Sequence, residues 1–227
     1  MASTHDSDAR DLASFLQQVF ACAPDVAEAI GRRTSERRFA AADLVIRQGD
    51  AVGEAFLMRQ GRARAVAYTR EGQAVLLQEF TPGDLFGALA EARNAASPAD
   101  ISAVEASRMA VFVSLELLAL AERHGCVGLA LARSLMKQLQ AATDRMVART
   151  TLSAVGRIYA ELLRLADQAD GRTIRPAPIL AALAGRVQTT RETASRAVNA
   201  LERRGIVRRD GEALSIVARR QLEDLVV

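Results

Sequence analysis

The stretch Thr189-Thr190-Arg191-Glu192-Thr193-Ala194-Ser195-Arg196 decides how the rest of the chain is read. Thr190 is placed to cap a helix, because its hydroxyl can accept from an amide of the first turn, and Glu192 in that turn suits the positive end of the helix dipole. Beyond it Ala194, Ala197, Val198 and Leu201 recur at intervals of three and four. One face therefore turns inward while Arg191, Glu192, Ser195 and Arg196 turn outward. Arginine can donate two parallel bonds to guanine, glutamate can accept from cytosine, and serine can touch base or phosphate. The same quartet also fits a solvated helix face with an i,i+4 pair between Glu192 and Arg196, so the neighbouring segments have to decide.

Residues 179–187 before this stretch read as a short apolar helix, and residues 206–217 after it read as a hairpin. Helix, turn, helix and wing is the order of a DNA reader. In the hairpin, Ile206-Val207-Arg208-Arg209 and Ala213-Leu214-Ser215-Ile216-Val217 flank Asp210-Gly211, a dipeptide suited to a tight turn with positive φ. From Arg186 to Arg220 nine arginines face only four acids, so the basic excess is gathered where helix and wing would meet phosphate. The expected DNA-contacting set is Thr189, Thr190, Arg191, Glu192, Ser195, Arg196, Arg208 and Arg209.

The rest of the composition narrows the class. With 227 residues, half of them hydrophobic, the chain is long enough to bury real cores, and its net charge is only +3. Cys22 and Cys126 are the only cysteines, and no secretory signal or long uncharged apolar run is visible, which implies a reduced, cytoplasmic protein with no membrane partner. Cys22 reads as a small buried hydrophobe in preference to a reactive thiol. With His5 and His124 as the only histidines and no phosphate-cradling glycine loop, no nucleophile-and-base set stands out, and an enzyme is not expected.

In chain order, residues 1–38 read as a polar tail followed by helical turns, with Leu12, Phe15, Leu16, Val19 and Phe20 at helical spacing. Residues 39–113 change to short apolar or alternating runs divided by Gly49-Asp50, Gln60-Gly61, Glu71-Gly72 and Pro82-Gly83-Asp84, the pattern of an antiparallel sandwich or jelly roll. Its clearest strands are 55–58, 63–68, 74–80 and 101–107. A short helical run over 115–123 leads to His124-Gly125-Cys126, which reads either as a loop joining two helices or as a weak pair of metal or haem ligands; no metal or cofactor is expected. A long helix follows over about 127–151, with Leu131, Leu135, Leu139, Ala142 and Met146 forming a narrow apolar seam. Ser153 is placed to cap the next helix, whose apolar face is Val155, Ile158, Leu162 and Leu165.

From about residue 39 to its end the chain resembles the Crp/Fnr family of bacterial transcription regulators, and Arg191-Glu192-Thr193-Ala194-Ser195-Arg196 is similar to that family's recognition-helix signature. Carried over by position, Arg191, Glu192 and Arg196 match base-reading residues of the Crp branch, and Glu192, Ser195 and Arg196 those of the Fnr branch. The resemblance implies an α+β fold: an N-terminal antiparallel β-roll of the cyclic-nucleotide-binding type over 1–126, a long dimerisation helix over 127–152, and a C-terminal winged helix-turn-helix over 153–227. It also implies a homodimer joined through the seam, a palindromic double-stranded DNA operator, and RNA polymerase as a further partner. An alternative on the same fold is a ligand- or partner-binding regulatory module that no longer binds DNA.

In relatives that bind cyclic AMP, a glutamate just after a glycine holds the ribose and an arginine-serine pair holds the phosphate. Aligned without gaps from Gly87, those positions are Ala88, Pro98 and Ala99, and with Gly87, Leu89 and Thr143 they make up a degenerate effector pocket. Without the arginine and the glutamate, nothing compensates for burying a charged nucleotide, so no cyclic AMP response is expected. Arg93 lies nearby in the sequence and reads either as a solvated loop arginine, the commoner case, or as a side chain that could reach an anion. Thr143 lies beside Ala142, which occupies the matching site of the threonine that contacts adenine in relatives. The iron-sulfur clusters of some Fnr members need four thiolates, which two cysteines do not supply.

Overall fold

The computed structural model describes residues 2–70, 74–89 and 96–226, with side chains from residue 10 onward. Arg93, the Glu71-Gly72 turn and the side chain of His5 lie outside the described residues. The chain divides into two compact units, 1–73 with 77–140, and 74–76 with 141–227.

The first unit opens with two helices, α1 (Ala2–Phe20) and α2 (Pro24–Gly31). The polar start of the chain is thus helical from Ala2 and is not a tail; length from residue 2 to 20 lets a weakly amphipathic segment continue once its last three turns are anchored. Eight strands follow: β1 (Ser35–Phe39), β2 (Leu44–Ile46), β3 (Glu54–Gln60), β4 (Ala63–Tyr68), β5 (Ala74–Phe80), β6 (Leu85–Gly87), β7 (Asp100–Ala103) and β8 (Ser107–Val113). They form two four-stranded sheets, ordered β1-β8-β3-β6 and β2-β7-β4-β5, with antiparallel registers. The single strand expected over 101–107 is two strands. Residues 104–106 turn the chain from β7 in one sheet to β8 in the other.

Strand β3 explains the layering. Its residues 55–58 are all buried, and they alternate between two cores. Ala55 and Leu57 face Leu16, Phe20, Ala27, Ile30, Leu117 and Leu120 of the helices, whereas Phe56 and Met58 face Ile46, Phe80 and Ile101 of the second sheet. A strand covered on both faces reads as a continuous apolar run because the period-two alternation has no solvent side. Between the sheets Phe56, Phe86 and Phe80 stack, with ring centroids 5.3 and 4.4 Å apart.

An ionic knot fastens α1 to this sheet. The Arg59 side chain, 6% exposed, bonds to Glu36 of β1, reaches Asp11 of α1 at 2.7 Å, and lies 5.7 Å from the Phe15 ring. Arg108 of β8 donates to the same Glu36 at 2.8 Å. Helices α3 (Ser114–Arg123) and α4 (Gly125–Thr151) follow, separated only by His124. Gly125 and Cys126 are therefore helical and not part of a joining loop; the amide of Val127 bonds back to the His124 carbonyl at 2.9 Å, so the second helix starts at once. Cys22 and Cys126 are free, half-buried thiols packed on the helical core. Burial, and then the neighbouring Cys126, push the Cys22 thiol up from its ordinary value, which suits a packing role.

Helix α4 continues into the second unit, and its exposed apolar side chains are Leu129, Leu135, Met136, Leu139, Met146 and Val147. Leu131 is not on this stripe: it is 7% exposed and packs in the helical core with Val127. Residues 131 and 139 are eight apart, which at 3.6 residues per turn puts them about 80° from each other, so helical spacing alone does not place them on one face.

The second unit comprises the end of α4, α5 (Ala154–Asp167), β9 (Thr173–Ile174), α6 (Leu180–Val187), α7 (Arg191–Arg203), β10 (Val207–Arg209), β11 (Leu214–Ile216) and α8 (Arg219–Glu223). One core holds it, built from Ile158 and Leu162 of α5, Leu183 of α6, Ala194, Val198 and Leu201 of α7, and Ile206, Leu214 and Leu222. The three short strands form one sheet, ordered β10-β11-β9. No helix among the described residues is long and apolar enough to cross a membrane.

Candidate nucleic-acid interface

The reader is set by its caps. Ser153 caps α5, its hydroxyl accepting from the Gly156 amide at 3.0 Å. Helix α6 starts at Leu180 behind Ile179, which supplies no side-chain cap and is 74% exposed. It ends at Gln188, whose φ of 52° and ψ of 62° place a non-glycine residue in the left-handed region. The amide of Thr189 then bonds to the Ala184 carbonyl at 3.0 Å, closing the helix as a glycine turn would. Just beyond it, Thr190 caps α7 by accepting from the Thr193 amide at 3.2 Å.

That cap fixes what α7 displays. Ala194, Ala197, Val198 and Leu201 are buried, while Arg191, Glu192 and Arg196 are exposed and Ser195 is half-buried. The Glu192 carboxyl turns back onto its own amide and the Thr190 hydroxyl, which hold it below the usual carboxylate range. It does not form the i,i+4 ion pair with Arg196, whose guanidinium instead lies 3.5 Å from the Thr193 hydroxyl. The two arginines of the face thus have no acidic partner within ion-pair distance among the described residues.

The wing differs from its sequence reading in two ways. Strands β10 and β11 pair Val207 with Ile216, Arg208 with Ser215 and Arg209 with Leu214. The Asp210 amide bonds to the Ala213 carbonyl at 3.2 Å, so the central turn residues are Gly211 and Glu212, one position later than expected. Gly211 takes the positive φ of 90° that the first central position of such a turn requires. Arg208 is exposed, but Arg209 is committed to α7: it donates to Asn199 Oδ1 at 2.7 Å and to Glu202, whose carboxyl is held down by that bond. Asn199 and Glu202 were not legible as wing anchors. Their only signal is the three-residue spacing that puts them on one helix face.

Around residue 87 the first unit contains a cavity of about 410 Å³. Gly87 has a φ of 85°, and a Cβ there would lie 2.6 Å from the Glu54 carbonyl, so the backbone approach requires glycine. Ala88 donates to that carbonyl at 2.8 Å. The described lining includes Ile46, Phe80, Leu89, Pro98, Ala99 and Leu135, with Gln78, Ser97 and Gln138 as polar members and no charged side chain. Ser97 is turned onto the Ala99 carbonyl at 2.7 Å. Gln138 of α4 donates to the Leu85 carbonyl at 2.8 Å, joining the cavity wall to the helix. Thr143 is exposed on α4 and is not among the lining residues.

Comparisons with known proteins match both halves of the chain. Residues 36–124 match the cyclic nucleotide-binding domain model, and residues 156–225 match the Crp-like helix-turn-helix domain model. The chain is 32% identical over 162 residues to the cyclic AMP receptor protein of Thermus thermophilus, covering 71% of this chain and 74% of that one. Among solved structures, a CooA variant from Carboxydothermus hydrogenoformans is similar with a TM-score of 0.77 and 17% identity, over 88% of this chain and 90% of that one. FixK2 from Bradyrhizobium japonicum is similar with a TM-score of 0.74 and 19% identity, over 86% and 98%. A β-roll of this type, a long helix and a winged reader, together with these matches, establish that the chain belongs to the Crp/Fnr family of transcription regulators.

Proposed function

We propose that this chain is a homodimeric regulator that reads a palindromic operator and that cyclic AMP is not its effector. The observation that carries the reading is the outward face of α7, where Arg191 and Arg196 stand exposed on a helix capped by Thr190. Such arginines suit bidentate contact with guanine, and exposed Arg208 on the wing suits phosphate. Arg209 is assigned the supporting role of holding the wing against α7. The exposed stripe through Leu129, Met136, Leu139 and Met146 supports pairing of two α4 helices. A two-fold pair presents two recognition helices about one DNA turn apart. RNA polymerase follows as a partner from the regulator role.

Against a cyclic nucleotide stands the cavity itself. Its described walls offer no charge for the phosphate, and a buried phosphate without a charged partner is strongly penalised. Its volume and lining suit an uncharged, largely apolar molecule. The test is binding of the effector-free protein to a palindrome with TGA-type half-sites and to a scrambled duplex, with and without cyclic AMP, across salt concentrations. Specific, nucleotide-independent binding is expected. Specific binding that appears only with cyclic AMP would overturn the effector reading, and equal binding to both duplexes in every condition would overturn the operator reading.

A further inference from the structure

One side chain of the second unit joins the carboxyl ends of two helices. Where α4 stops, the Gly156 amide, which in a continuous helix would bond to Leu152, donates to the Ser153 hydroxyl instead. The Leu152 carbonyl is met by Arg157 Nη1 at 3.1 Å. Where α6 stops, the chain leaves the helix at Gln188, and none of the described loop backbone bonds ends on the Val187 carbonyl. It is met by Nε of the same Arg157 at 3.0 Å. Helix carboxyl ends carry orphaned carbonyls and partial negative charge. A guanidinium is a rigid fork of donors that stays charged, so it can hold two such carbonyls at a fixed separation.

Val187 leads directly into the reading helix. Gln188 is the left-handed residue, Thr190 is the cap, and Arg191 opens the recognition face. We propose that Arg157 is a positioning residue for DNA reading: its guanidinium pins the end of the long helix to the turn that launches α7, so the recognition helix is set with respect to the α4–α5 junction and not only by its own core. This goes beyond the operator reading and rests on it only for the DNA readout. Arg186 pairs with Glu161 at 3.3 Å and clasps α5 to α6.

The experiment compares the full-length protein with Arg157→Gln and Arg157→Lys, reading duplex affinity and amide hydrogen exchange. For Arg157→Gln, the Thr189 amide is expected to exchange about tenfold faster while the Val198 and Leu201 amides in the head core are unchanged; palindrome affinity is expected to fall about tenfold, with less than about a twofold change on scrambled DNA. Arg157→Lys is expected to resemble the glutamine variant, because one ammonium does not span both carbonyls. Wild-type behaviour of either variant would overturn the proposal, the lysine case by showing that a charge alone suffices. Faster exchange at Thr189, Val198 and Leu201 together would also overturn it, since Arg157 would then serve only the fold of the head. If the wild-type protein shows no palindrome preference, the operator reading fails, and exchange at Thr189 still decides the clamp.

Discussion

The cavity beside Gly87 and the outward face of α7, the surfaces proposed for a small molecule and for DNA, differ in chemistry. Among the described residues the cavity is walled by Ile46, Phe80, Pro98, Ala99 and Ile101 with three neutral polar side chains. The helix face offers two exposed arginines and a glutamate whose cap bonds hold its carboxyl below the usual carboxylate range. A buried pocket that loses one charged anchor gains by losing the others, because each remaining charge would be desolvated without a partner. A solvent-facing surface carries no such penalty and keeps its arginines singly. The two regions thus follow different electrostatic rules: a charge in the cavity would need a partner, whereas an arginine on the exposed helix face does not.

The change expected to break this contrast most severely touches neither region. Met136 and Leu139 are 65% and 62% exposed on α4, so replacing both by glutamate removes little from the core of one chain. Placed in a helix pair, four carboxylates would face one another. Met136→Glu with Leu139→Glu is expected to yield a folded monomer by sedimentation, with operator affinity lower by roughly 10²–10⁴ as the second half-site contact is lost. A double variant that stays dimeric would move the interface elsewhere. Smaller effects are expected on the reading face itself. Arg191→Ala or Arg196→Ala should cost about 1–3 kcal/mol on the palindrome and relax preference at one base pair of each half-site. Arg208→Ala should weaken specific and scrambled DNA alike, with a shallower salt dependence. Equal behaviour of Arg208→Ala and Arg196→Ala would erase the distinction between reading and anchoring.

How much of this was legible varies with the range of the interaction. The cap of Thr190 and the inward face of α7 are decided within a few residues, so they could be read from spacing and turn chemistry alone. Strand β1, Ser-Glu-Arg-Arg-Phe from Ser35 to Phe39, gave no strand signal because its polar residues are accounted for by distant partners. Glu36 meets Arg59 and Arg108, far along the chain. Leu131 looked like seam because its spacing to Leu135 and Leu139 is helical, but only the packed core of the first unit determines which side of a long helix is covered. Ala88, Pro98 and Ala99 line the cavity, and singling them out rests on a family pattern and not on local spacing. That an open cavity of about 410 Å³ remains there depends on the stacking of Phe56, Phe86 and Phe80 between two sheets, which no local pattern encodes.

The smallest expected effect sharpens the contrast by pH. Glu202 is held below the ordinary glutamate range, first by the hydrogen bond from Arg209. A carboxyl depressed in the folded state contributes its stabilisation above its unfolded pKa and loses it as pH falls through the depressed folded value. The wing clasp should therefore persist through the ordinary glutamate range and open only below it. Following the Arg209 Nε resonance through an acid titration checks this, and Glu202→Gln should abolish the transition without altering the core of the head. Because the pair is exposed, the effect on global stability should be slight. The cavity, whose described lining has no ionisable side chain, should bind an uncharged probe such as N-phenyl-1-naphthylamine with the same affinity between about pH 5 and about pH 8. A pH-dependent probe affinity over that interval would place a titrating group at the cavity and bring the two regions under the same electrostatic rule.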